Sequence, residues 1–245
     1  YPSLVSDPDE AMYGLGIYGA NYKIGILLLV FLQAFRFAYE PFIFSRSKDA
    51  PEGRKRAYSD AMKYFVAFAL LIFLGVMFYL DIIKYFISPR YFSGLKVVPI
   101  IMLGELFFGI FYNLSVWYKI TDRTVWGMWF SLMGLAVTLI LNIVLVPHIG
   151  YMGCAVAALC SYGVMMTASY VIGRAKYPID YHLGHIGAFF GIAAILYGIG
   201  LYALPALGLG DIANGIIRLA LLCSYVLVFC RIEHVRPGQL IPRRR

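Results

Sequence analysis

Five side chains stand out because they are charged or strongly polar within stretches apolar enough to cross a bilayer. Lys23, Gln33, Arg36 and Glu40 lie in residues 18–40, and Glu105 lies in a later stretch. An Arg, Lys or Asp at the centre of a membrane helix costs about 2.5–3.5 kcal/mol even on the more lenient insertion scale. A span that retains such groups should face something other than lipid. Tyr18, Tyr22, Leu29, Gln33, Arg36 and Glu40 recur at steps of three, four or seven, which puts them on one helical stripe with Lys23 at its edge. Two chemistries fit this stripe. It can be the wall of a hydrophilic cavity, or it can hold an i, i+4 ion pair between Arg36 and Glu40 with Lys23 snorkelling toward an interface. With the span centred near Val30, Arg36 and Lys23 sit about 9 Å and about 10 Å from the midplane, on opposite sides.

Glu105 lies only about 3 Å from the midpoint of its span, and its stripe continues through Tyr112, with Asn113 beside it. A lone mid-membrane carboxyl is tolerated when it is protonated, ion-paired or bound to a coupling ion. Asp81 and Lys84, at i, i+3, suit an interfacial pair. The faces Ser131/Gly134/Thr138/Asn142 and Gly153/Ala157/Ser161 suit close helix packing. Trp117, Trp126 and Trp129 suit interfacial anchors. The sequence has no serine-hydrolase elbow, HExxH, phosphate loop or GxGxxG, and no nucleophile–base–orienter set. His182 and His185 flank a loop. The four cysteines lie in apolar segments without metal-ligand spacing, so they read as small buried hydrophobes and no metal site is expected.

The spans around these residues define the class. Of the 245 residues, 61% are hydrophobic and 14% charged, and the mean hydropathy is +0.76. Soluble domains carry roughly 45–50% apolar and about 25% charged residues. The expected fold is therefore an all-α polytopic membrane protein with about seven transmembrane helices, at 15–43, 61–87, 97–118, 125–146, 151–172, 184–204 and 212–230. Residues 1–14 read as an external loop and 44–60 as a charged loop. Residues 15–172 hold five spans, 173–230 two more, and 231–245 form a basic tail. The net charge of +8 sits mostly in loops flanking the spans, so topology explains it better than nucleic acid does. Arg46, Lys48, Arg54, Lys55, Arg56, Lys119, Arg123, Arg174, Lys176 and the tail arginines fall on one side, against Arg90 and Lys96 opposite. The positive-inside rule then places the C-terminus in the cytoplasm. The chain starts with Tyr1 and has no signal-peptide pattern, so it reads as beginning mid-protein.

Two stretches carry a resemblance. Residues 14–44, GLGIYGANYKIGILLLVFLQAFRFAYEPFIF, resemble the G-x-Y-x-x-A-x-K helix ending in proline that recurs in oligosaccharide (O-antigen-type) flippases of the multidrug/oligosaccharidyl-lipid/polysaccharide exporter superfamily. Residues 146–162, VPHIGYMGCAVAALCSY, resemble that family's P-x-x-G-x-x-G-A-A-x-A-T segment, with Cys154 in place of the usual small residue. The resemblance covers essentially residues 14–230. It implies a fourteen-helix, two-lobe transporter of which this chain is the C-terminal part, with the N-terminal half missing and the last two spans an appended pair. Tyr18, Lys23, Arg36 and Pro41 would then lie on a cavity-lining helix.

What the resemblance implies for function is translocation, not enzymatic catalysis. The expected cargo is an oligosaccharide on undecaprenyl pyrophosphate, moved by alternating access in the bacterial inner membrane for surface polysaccharide or lipopolysaccharide synthesis. The phosphates would need Arg36 and Lys23, and the sugars would suit Tyr18, Tyr22 and Gln33. Membrane lipids and polysaccharide assembly machinery are the further candidate partners. No cofactor is expected beyond a proton or Na⁺ gradient, for which Glu40 and Glu105 are the coupling candidates. The alternatives are a drug or cation exporter of the same superfamily, a membrane-embedded polysaccharide polymerase or glycosyltransferase, and a structural membrane subunit. The polymerase would need a long catalytic external loop, and the loops here are short.

Overall fold

A computed structural model describes residues 8–46, 50–203 and 210–233. Residues 1–7, Lys48 and the tail arginines Arg236, Arg243, Arg244 and Arg245 lie outside the described residues. Seven helices among those described are long and apolar enough to cross a bilayer. The chain is therefore an all-α, multi-pass membrane protein. The spanning helices are α1 (Pro8–Arg46), α2 (Pro51–Phe78), α3 (Val98–Leu114), α4 (Val125–Ile149), α5 (Tyr151–Lys176), α6 (Leu183–Gly198) and α7 (Asp211–Ile232). Helix is the economical solution here, because each backbone N–H and C=O is satisfied within its own segment.

Several boundaries differ from the sequence reading; α2 ends at Phe78, where the span was expected to run to 87. Helix α1 begins at Pro8, inside the expected loop 1–14. Helix α2 begins at Pro51, inside the expected loop 44–60. At α2 a proline opens the helix, where its missing N–H costs nothing and its fixed φ is already helical. Arg54, Lys55 and Arg56 thus sit on the first turns of α2. The third span is also not one uniform helix. A 3₁₀ stretch, Pro89–Val97, leads into α3, and a separate short helix, Val116–Ile120, follows it.

Helix α3 is the centre of the bundle, packing against α1, α2 and α5; α1 also touches α2 and α5. Helix α4 leans on α5, while α6 and α7 lie against α2 and each other. The core joins Leu28 and Leu32 of α1, Met62, Val66 and Leu74 of α2, and Met102 and Leu106 of α3, all nearly or fully buried. The small residues of α4 and α5 act as expected only in part. Gly134, Gly153, Ala157 and Ser161 are buried between the two helices, and Ser161 Oγ donates to the Gly134 carbonyl at 2.8 Å. A Cβ at Gly153 would lie 2.9 Å from the Val146 nitrogen, so only glycine permits that approach. Ser131, Thr138 and Asn142 instead bond carbonyls of their own helix. Trp117 is 1% exposed, against the interfacial role expected from its position; it packs beside Tyr118 and Trp126, while Trp129 is exposed.

Candidate functional site

The polar residues of the spans gather at two levels along the α1–α3 seam. The deeper one is a recess of about 280 Å³ between α1, α3 and α5, lined by Tyr18, Tyr22, Gly104, Glu105, Ala158 and Tyr162 among others. Tyr18 and Tyr22 are one helical turn apart, their ring centroids 5.9 Å apart. Ala158 and Tyr162 have the same spacing on α5. Glu105 is 4% exposed, and Tyr22 Oη donates to its Oε1 at 3.0 Å. No cation lies within ion-pair distance of Glu105 among the described residues. Close approach of α3 to α5 at Gly104, where a Cβ would already touch the Leu159 backbone at 3.6 Å, brings Tyr162 near the carboxyl.

The second level is two helical turns along α3, about 10 Å away, toward the basic end of the bundle. The guanidinium of Arg36 and the ammonium of Lys119 each lie 4.3 Å from the centroid of the Tyr112 ring. The Tyr112 hydroxyl donates to the Glu40 carboxylate. Lys119 Nζ lies 3.4 Å from the same Glu40 oxygen and 3.2 Å from Tyr112 Oη. Two cations on one electron-rich ring, with one carboxylate between them, give a locally positive, hydrogen-bond-rich cluster.

These positions revise the sequence reading in three ways. The Arg36–Glu40 ion pair does not form among the described residues. Glu40 pairs with Lys119 across the helix interface, because Arg36 is drawn onto the ring face of Tyr112. Lys23 and Gln33 are exposed and belong to neither cluster, although they share the α1 stripe. Asn21, which stands where the resembling motif has alanine, is fully buried. It donates to the carbonyls of Ile17 and Tyr91, at 2.8 and 2.9 Å, fixing α1 to the 3₁₀ stretch. The pairing of Asp81 with Lys84 is present but loose, at 4.0 Å, and Arg218 of α7 is the closer partner at 3.0 Å.

Two contributors escaped sequence reading. Lys119 carries a topology signal, since it stands among the basic residues at a span end. Seven residues on from Tyr112, across the helical residue Ser115, it stands on the same face and reaches Glu40. Tyr162 has no sequence signal beyond its helical offset from Ala158. A third group went unseen altogether. Lys63 of α2 lies 2.5 Å from Glu233 at the end of α7, and His185 Nδ1 of α6 lies 3.3 Å from the other oxygen of Glu233. Comparison of the chain with models of protein families, with curated proteins and with solved structures returned no match.

Proposed function

We propose that this chain forms part of a translocator that flips an undecaprenyl-pyrophosphate-linked oligosaccharide across a bacterial inner membrane by alternating access, for surface polysaccharide or lipopolysaccharide synthesis. The observation that carries this reading is that α1 contributes to both polar levels at once. Arg36 joins Lys119 on Tyr112 near the basic end, and Tyr18 and Tyr22 line the recess at Glu105. A diphosphate suits the two cations, which provide charge-assisted hydrogen bonds. Sugar hydroxyls and ring faces suit the tyrosines and the carboxyl below. Glu40 occupies Lys119 when no anion does, while Arg36 rests on the Tyr112 ring. The apolar tail of the cargo can stay in the bilayer, so it needs no polar path. In this reading the C-terminus is cytoplasmic, the chain is the C-terminal part of a two-lobe transporter, and no catalytic chemistry is required of it.

The test is Arg36→Ala in cells that depend on the protein. Lipid-linked oligosaccharide is expected to accumulate in the cytoplasmic leaflet while surface polysaccharide falls. Normal surface polysaccharide would remove Arg36 and the diphosphate from the reading. One observation favours a second reading. A buried carboxyl among Tyr18, Tyr22 and Tyr162 is also the arrangement that binds an organic cation. An exporter of such cations would lose transport in Glu105→Gln and keep it in Arg36→Ala, the reverse order of sensitivity.

A further inference from the structure

The side of the bundle away from this seam carries two recesses that follow one another along α2, with no lining residue in common. One, about 380 Å³, opens at the basic end between the first turns of α2 and the segment joining α5 to α6, lined by Glu52, Lys55, Arg56, Ser59, Asp180 and His182 among others. The other, about 240 Å³, lies between α2, α3, α5 and α6, with Met62, Val66, Ile110, Met166, Ile186 and Phe190 in its lining. Both walls change from polar to apolar at the same level. On α2 the face runs Lys55, Ser59, Met62, Val66 at steps of four, three and four. Opposite it, Asp180 and His182 give way to Leu183, Ile186 and Phe190. Lys55 and Val66 are about 16 Å apart along the helix, close to the depth of one leaflet's hydrocarbon, which is half of about 30 Å.

The polar part is held in place. Ser59 Oγ donates to the Asp180 carbonyl. Tyr177 receives a hydrogen bond from Arg54 Nε at 3.2 Å, and Lys55 Nζ lies 5.0 Å from its ring centroid. Tyr181, between the two recesses, is buried, and burial raises its phenol well above the ordinary tyrosine range, so it stays a neutral hydroxyl. The lining of the polar recess holds Lys55, Arg56 and His182 with Glu52 and Asp180, and Arg54 stands beside it on Tyr177.

We infer that this pair of recesses is a binding site for an anionic glycerophospholipid, with its headgroup at Lys55, Arg56 and His182 and an acyl chain in the apolar recess beneath. The site is separate from the α1–α3 seam and does not depend on the cargo proposed for it. Basic residues at a membrane surface attract anionic lipid, and the apolar floor directly below them distinguishes this place from the other basic helix ends. A bound lipid here would bridge α2, α3, α5 and α6, and so tie α6 to the core.

The experiment uses the purified chain in detergent. Native mass spectrometry reads lipid retention, and thermal unfolding reads stabilisation, with added phosphatidylglycerol, phosphatidylcholine or inorganic phosphate. Phosphatidylglycerol is expected to be retained and to raise the midpoint, since a ligand of the folded state stabilises it by mass action. The double variant Lys55→Gln/Arg56→Gln, on exposed first turns of α2, is expected to weaken that retention on the order of tenfold or more. Thr167→Phe, at the exposed mouth of the apolar recess, is expected to lower it too, and Arg123→Gln, another basic residue of the same end, to leave it unchanged. Equal protection by inorganic phosphate would make this a free-anion site and overturn the inference. Equal retention of phosphatidylcholine, or a double variant indistinguishable from the parent, would overturn it as well.

Discussion

Among the described residues two carboxylates are nearly buried, and they are treated in opposite ways. Glu233 has its Lys63 partner at 2.5 Å and His185 at 3.3 Å, and its side chain is 5% exposed. Glu105 is 4% exposed and has a single hydroxyl, from Tyr22. A buried ion pair removes the need for anything else to approach, whereas a carboxyl satisfied by one hydroxyl at the edge of a recess keeps hydrogen-bonding capacity for a visitor. The surroundings follow the same division. Helix α7 is fixed to α2 and the turn that follows it by polar contacts: Arg218 to Asp81 at 3.0 Å, Tyr225 Oη to the Ala67 carbonyl at 3.1 Å, and Lys63 to Glu233. Helix α6 adds His185 on the same carboxylate. The α1–α3 seam has polar groups with spare capacity at both of its levels. The first region closes its polar groups on one another, and the second leaves hydrogen-bonding capacity over.

The contrast can be broken experimentally. Lys63→Met would leave Glu233 buried without its cation, and breaking a buried pair from one side costs about 3–5 kcal/mol. Unfolding in detergent should show that loss, and Lys63→Met/Glu233→Met should recover most of it. A single variant as stable as the parent would mean the pair is not holding α7. Tyr22→Phe removes the one hydroxyl on Glu105, and an unsatisfied buried acceptor costs about 1–3 kcal/mol. Tyr225→Phe deletes a hydrogen bond between membrane helices and should cost about 0.6 kcal/mol. Glu105→Gln keeps an acceptor for Tyr22, so its stability should stay within roughly 1 kcal/mol of the parent, while transport falls. If Glu105→Gln destabilised as much as Lys63→Met, an unseen cation would be pairing with Glu105 and the contrast would fail. The smallest effect belongs to Arg218→Gln. Its partner Asp81 is two-thirds exposed at 67%, so the pair should contribute under about 1 kcal/mol and vanish with added salt.

Much of this molecule follows from the chain read in one dimension. Seven apolar stretches of sufficient length leave helix as the way to satisfy the backbone in lipid, and the basic residues fall mostly in every second connection between them. Periodicity likewise placed Tyr18, Tyr22, Arg36 and Glu40 on one face of α1, and depth arithmetic singled out Glu105. Helical offsets are local, so sequence alone could determine them. Pairing between helices is not local. That Glu40 meets Lys119 instead of Arg36, that Tyr112 takes both cations, and that Lys63 reaches Glu233 across 170 residues depends on which helix faces which. Lys119 itself stands seven residues from Tyr112 on one helical face, an offset that is local. Those partners were decided by packing around α3, where Gly104 lies against the Leu159 backbone of α5 and Gly109 against Phe65 of α2 and Leu32 of α1. The same charges could have been neutralised by several partners, and only the tertiary structure selects among them.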